Sequence, residues 1–152
     1  MQKQFWVYGV LPSLVLLGAV LAGKLMAEPV MHVYKSETCG CCDDWIEHVE
    51  EAGFKVEYTN LRDLNSKKQE LGLPYELASC HTALIDGYII EGHVPASDIQ
   101  RLLKERPALS GLTVPGMPHG SPGMETGQVD AYQVLGFDLD NQTRQVWAEY
   151  NQ

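Results

Sequence analysis

The chain has 152 residues, of which 20 are acidic and 11 basic, giving a formal net charge of −9 at pH 7. That length holds one ordinary domain plus an accessory segment and leaves no room for two full domains. An acidic balance argues against a nucleic-acid or anionic-lipid surface; it serves solubility first and cation capture second.

Residues 1–27 contain Lys3 and Lys24 and no acid, and Phe5 to Gly23 is uncharged and mostly apolar. This composition predicts a signal peptide or an uncleaved N-terminal anchor, with cleavage expected after Ala22 or after Ala27. Either way the remainder is expected outside the cytoplasm. Setting Lys3 and Lys24 aside leaves nine basic against 20 acidic residues from Glu28 onward, a formal charge of −11. All four cysteines and all five histidines fall in that part.

Val30 to Lys35 is rich in β-formers and predicts a strand. After Ser36-Glu37-Thr38 comes Cys39-Gly40-Cys41-Cys42, and then Trp45, Ile46, Val49 and Ala52 recur at helical intervals, with Asp43 and Asp44 suited to a first turn. The cysteines are therefore expected at a strand-to-helix junction. Gly53 ends that helix, Phe54 to Tyr58 alternates like a strand, and Leu61 to Leu71 predicts a second helix closed by Gly72 and Pro74. Thr82 to Ile85 and Tyr88 to Glu91 flank Asp86-Gly87, a two-residue hairpin signal. Pro95 to Arg106 predicts a third helix with Ile99, Leu102 and Leu103 on one face. Leu109 to Gln128 is Gly/Pro-rich and without predicted elements; its regular Pro and Gly spacing predicts a fixed wrap. Ala131 to Asp138 and Thr143 to Tyr150 form a terminal hairpin around residues 139–142.

The order β-α-β-α-β-β-α with a cysteine motif after the first strand predicts an α/β, thioredoxin-like domain over residues 28–106. Residues 107–152 are expected to pack on it as a Gly/Pro/Met loop and β-hairpin extension.

At a helix N-terminus, unpaired N–H groups and the helix dipole favour thiolate over thiol, making a cysteine both nucleophile and metal ligand. Cys39 and Cys42 have the spacing of an attacking and a resolving thiol in disulfide exchange. Cys41 between them would compete for the same intermediate, whereas in a metal site a third thiolate is an asset. The Ser79-Cys80-His81-Thr82 segment precedes the third strand, where a thioredoxin-like fold usually places a cis-proline turn facing the cysteine motif. Four thiolates and an imidazole can thus converge. Soft sulfur ligands select Cu(I), zinc or iron–sulfur clusters; additional His and Met tip the choice toward copper, with zinc the rival, and the crowding of sulfurs allows more than one copper ion.

Four cysteines in an oxidising compartment can instead form two structural disulfides. Against this, Cys39, Cys41 and Cys42 read as too close to pair productively with one another, with only one able to reach Cys80. His81 is expected as a ligand or an outer donor, and His93 lies on a strand-to-helix loop at the same end of the sheet. Met117 and Met124, each preceded by Gly, can present thioethers to Cu(I) or fill core space. His32 and His48 read as structural or surface residues, and His119 as exposed.

With Cys-Gly-Cys-Cys, Ser-Cys-His-Thr, Gly-His-Val-Pro and Val-Pro-Gly-Met-Pro-x-Gly-Ser-Pro-Gly-Met-Glu in this order, the sequence from about Met31 onward resembles the CopG-type copper-resistance family. The resemblance implies an exported, thioredoxin-like protein of copper homeostasis in Gram-negative bacteria, periplasmic and either soluble or anchored through residues 5–23. It also implies copper binding, redox interconversion of Cu(I) and Cu(II), and partners among other periplasmic copper-resistance proteins. The ligand set it implies is Cys39, Cys41, Cys42, Cys80 and His81, joined by His93, Met117 and Met124. The alternative reading of the same residues is a protein thiol-disulfide oxidoreductase.

Overall fold

The computed structural model describes residues 28–152; the expected leader or anchor lies outside them. Strand β1 (Val30–Lys35) buries Met31, Val33 and Lys35 on one side and turns His32 outward, as period-2 geometry requires. Helix α1 (Gly40–Glu51) buries Cys42, Trp45, Ile46 and Val49, the i, i+3, i+4, i+7 stripe of an amphipathic helix. β2 (Lys55–Asn60) returns parallel to β1.

Helix α2 (Leu64–Glu70) is shorter than the Leu61–Leu71 span expected, and the reason is capping. Asp63 accepts the Ser66 N–H at 3.2 Å and starts the helix there, while the Leu61 N–H donates to the Lys35 carbonyl and stays with the sheet. A single 3₁₀ turn (Tyr75–Leu77) follows. β3 (Thr82–Ile85) and β4 (Tyr88–Glu91) form the expected antiparallel hairpin, with Asp86 and Gly87 both at positive φ (50° and 86°). Helix α3 (Ala96–Glu105) begins after Pro95 and ends on Arg106 in the left-handed region.

The Gly/Pro-rich segment is less bare than its composition suggests. Gly111–Thr113 forms β5, parallel to β4, and continues the sheet toward β6 (Tyr132–Asp138) and β7 (Thr143–Tyr150). One seven-stranded sheet results, in the order β2-β1-β3-β4-β5-β6-β7. The mixed α/β layout, with β1 paired parallel to β2 and antiparallel to β3, is consistent with the thioredoxin-like expectation.

Residues from α1 and α3 pack with β1, β3, β4, β5 and β6 around Trp45, Ile90, Ile99, Leu102 and Leu112. Each such side chain contributes roughly 1.5–3 kcal/mol when fully buried. A smaller cluster, Leu73, Leu77, Ile89 and Phe137, includes the 3₁₀ turn. His48 is a link between helices: its Nε2 accepts the Ala96 N–H at 3.1 Å and so caps α3, which has no side-chain cap of its own. Among the described residues, no helix is long and apolar enough to cross a membrane.

Candidate metal centre

Cys39 is the residue preceding α1, and Cys41 and Cys42 lie in its first turn. One helical turn brings the Cα atoms of Cys39 and Cys42 to 5.4 Å, inside the usual disulfide range of roughly 4.4–6.8 Å, and the two are bonded. This corrects the expectation that the motif cysteines are too close to pair: three residues at a helix start span a turn, and only adjacent or alternate positions are excluded. Cys41 and Cys80 are free thiols. The Cys41 Sγ is 3.6 Å from that of Cys39.

The second segment arrives from the end of the 3₁₀ turn. The sulfurs of Cys39, Cys41, Cys42 and Cys80 all lie within 4.8 Å of one another, and so do one donor atom each of Cys80, His81 and His93. Cys80 belongs to both groups. The structure therefore brings together six of the eight expected residues around one sulfur.

His93 is held in a defined tautomer. Its Nδ1 donates to the Pro122 carbonyl at 2.7 Å, which leaves Nε2 with a lone pair, and the Cys80 thiol donates to that Nε2 at 2.9 Å. A metal-ligating histidine is characteristically oriented by such an outer carbonyl. Burial lowers the His93 pKa, so the ring is kept neutral.

His81 is wholly buried, its ring centroid 4.3 Å from that of Trp45, with Nδ1 at 3.3 Å from the Cys80 Sγ. Burial first, then the proximity of His93 and Lys68, holds its pKa well below the ordinary histidine value. Its Nε2 has no hydrogen-bond partner among the described residues, a costly arrangement for a buried ring nitrogen. Burial, reinforced by the neighbouring Cys41 thiol, pushes the Cys80 thiol up to about 12. A soft cation arriving there displaces a proton, since thiolate is the ligating form. Two neutral imidazoles, one orphaned buried nitrogen and up to four sulfurs make a donor set suited to a thiophilic metal.

The long loop closes over this group. Gly123 (φ +80°) sits so tightly on the first turn of α1 that a Cβ there would fall 2.6 Å from the Cys41 carbonyl oxygen and 2.8 Å from the Trp45 nitrogen. Only glycine permits both that approach and that backbone. Met124, half-buried, follows it and closes the turn by accepting the Gly120 N–H. Met117 is about half-exposed and lines an open cavity of about 460 Å³ together with Ser79 and Cys80. His119 stands apart, hydrogen-bonded to the Thr126 hydroxyl at 2.7 Å, and His32 lies on the outside of β1 beside Glu57.

Sequence reasoning did not identify Pro122 and Gly123 as the contacts that seat the loop, nor Lys68 and Glu91, which are buried behind Cys80. The acid ending the apolar run Tyr88-Ile89-Ile90-Glu91 was the available signal for the last of these.

Fold and site together define a mixed α/β protein with a Cys/His metal-ligand cluster at a helix start. Two solved structures of a copper resistance protein, copG in forms 2 and 1, are 50% and 51% identical to the chain, with TM-scores of 0.76. The alignments cover 81% of this chain and 98% of that one. The family described as "Protein of unknown function, DUF411" matches residues 77–124. A comparison with curated proteins finds no match. The chain belongs to the CopG family of copper resistance proteins.

Proposed function

We propose that this protein binds copper at the Cys39, Cys41, Cys42, Cys80, His81 and His93 cluster and interconverts Cu(I) and Cu(II) there. The observation that carries the reading is the meeting of two distant segments at Cys80: sulfur-rich on the α1 side, imidazole-rich on the other. Thiolates favour Cu(I), imidazoles accept Cu(II) as well, and a site offering both lets the ion change oxidation state without leaving. Oxidation of the Cys39 and Cys42 thiolates to the disulfide releases two electrons, enough to reduce two Cu(II) ions to Cu(I); reduction of the disulfide by two Cu(I) is the reverse. Crowded sulfurs sharing Cys80 support binding of more than one ion. Zinc fits the sulfur group but gains nothing from a redox-active pair.

Met117, at the cavity beside Cys80, is read as the point of access for Cu(I), and Met124 as part of the loop that covers the helix start. The place of action is the periplasm, either soluble after removal of residues 1–27 or held at the inner membrane by residues 5–23, with other copper-resistance proteins as partners. Cell fractionation with an intact-mass measurement distinguishes the two forms.

The Cys39–Cys42 disulfide also favours a second reading, thiol-disulfide exchange with proteins. Cys41, 3.6 Å from Cys39, opposes it by standing ready to intercept any mixed disulfide. Anaerobic titration of the reduced protein decides between them. Uptake of Cu(I) with thiolate charge-transfer absorption supports the copper reading; brisk insulin reduction without copper uptake overturns it.

A further inference from the structure

Behind Cys80, on the side away from α1, lies a buried ionic network that the copper chemistry does not use. Glu91 is fully buried at the end of β4 and Lys68 of α2 is nearly so. One Glu91 carboxylate oxygen accepts the Ser79 backbone N–H at 2.6 Å and is paired with the Lys68 ammonium. The other accepts the Thr82 hydroxyl at 2.7 Å, and the same hydroxyl accepts from Lys68 Nζ at 2.8 Å. Every side-chain hydrogen bond that the pair makes to the rest of the described residues thus falls on Ser79 or Thr82, the residues immediately before Cys80 and immediately after His81.

Such a pair is a poor device for stability. Burying two charges costs about as much as their attraction returns, and apolar residues of equal volume do as well or better. What the pair supplies is position. Residues 79–82 contain no proline to set the turn that faces the cysteine motif. The segment's other contacts come from the loop, α1 and the sheet: the Ser79 hydroxyl donates to the Gly116 carbonyl, the Gly92 N–H donates to the His81 carbonyl at 3.0 Å, the Cys80 Sγ meets His93 Nε2 at 2.9 Å and its carbonyl lies 3.9 Å from the Cys42 Sγ, and Thr82 pairs with Tyr34 and Glu91 in the sheet. None of these reaches the stretch between Ser79 and Thr82 from the α2 side; that contact is supplied by Lys68.

We propose that Glu91 and Lys68 are positioning residues that clamp Ser79 and Thr82 and thereby hold Cys80 and His81 in register with the Cys39–Cys42 helix start. This rests on the copper reading for its purpose but not for its geometry, and the test separates the two. The variants are Lys68→Met/Glu91→Leu, which removes both charges together and leaves no uncompensated ion, and Thr82→Val, with Thr82→Ser as the conservative rescue. The first readout uses metal-free, oxidised protein: iodoacetamide alkylation of Cys80 and of Cys41, resolved by peptide mass spectrometry. The second is Cu(I) affinity of reduced protein by competition with a chromogenic chelator.

The clamp predicts that the double variant and Thr82→Val keep wild-type far-UV circular dichroism, alkylate faster at Cys80 with no change at Cys41, and lose about 10–100-fold in Cu(I) affinity. Thr82→Ser should restore both. Folded variants with wild-type Cys80 alkylation and wild-type Cu(I) affinity would overturn the proposal and leave the pair a purely structural element. Altered Cys80 alkylation in variants of a protein whose wild type takes up no Cu(I) would uphold the clamp and remove the copper reading instead.

Discussion

Replacing Gly123 by Ala probes whether the long loop is seated on the cysteine helix. The new Cβ would meet two backbone atoms of α1, the Cys41 oxygen at 2.6 Å and the Trp45 nitrogen at 2.8 Å, neither of which can swing aside like a side-chain tip. Overpacking of this kind costs about 1–3 kcal/mol. An L-residue at φ +80° adds about 1–2 kcal/mol, offset by about 0.4–1 kcal/mol from the stiffer unfolded chain. The net expectation is a loss of about 1–4.5 kcal/mol, or roughly 4–18 °C in Tm for a domain of this size. Gly127→Ala is the control: it shares the left-handed backbone (φ +87°) but has nothing within 4 Å of its Cβ. Denaturant unfolding of both metal-free variants, followed by tryptophan fluorescence, should show Gly123→Ala less stable than Gly127→Ala by about 1–3 kcal/mol. Equal losses in the two would refute the seated loop. The displaced Pro122 carbonyl would also release His93 Nδ1, so copper affinity should fall with stability.

Further outcomes follow from the same geometry. Cys41→Ser should fold, retain the Cys39–Cys42 disulfide by mass spectrometry, and lose part of the Cu(I) charge-transfer intensity. His48→Ala leaves the Ala96 N–H unpaired and should cost about 0.5–2 kcal/mol in chemical denaturation, with Cu(I) affinity unchanged. His81 is kept neutral by burial, so its folded-state pKa lies below the unfolded value. Stability of the metal-free protein should therefore be full above pH about 6.5 and fall as the pH drops below it, by up to about 1.4 kcal/mol per pH unit for this one proton. His81→Gln should remove that one proton's share of the slope between pH about 6.5 and about 5, leaving the part carried by His93 and His48, whose pKa values burial also lowers, and an unchanged slope would assign the dependence elsewhere.

Local pattern was a good guide where it coincided with burial. The Trp45, Ile46, Val49 stripe and the Asp86-Gly87 turn each specify one structure, and both formed as read. β5 escaped because three residues carry no period; Gly111–Thr113 is a strand only through its neighbours β4 and β6. Helix α2 was overextended because Leu61 satisfied the apolar pattern while its N–H went to the Lys35 carbonyl. At the site, the types and spacing of the cysteines pointed to their meeting with Cys80, but the pairing of Cys39 with Cys42 depends on how one helical turn rises, which residue counting underestimated. The Pro122 carbonyl and the Gly123 contact are backbone contacts of which composition carries no trace, whereas Glu91 is marked in the sequence only as an acid closing the apolar run Tyr88-Ile89-Ile90, with its partners Lys68, Ser79 and Thr82 set by the fold.

Cys80 joins the thiolate and imidazole groups. The most direct test of that junction is an anaerobic Cu(I) titration of fully reduced wild type and Cys80→Ala against a chromogenic competitor, with zinc present. The wild type should take up copper in preference to zinc with near-ultraviolet thiolate absorption, and Cys80→Ala should bind at least about tenfold more weakly. Superimposable titrations of the two proteins, or retention of zinc in place of copper, would contradict it.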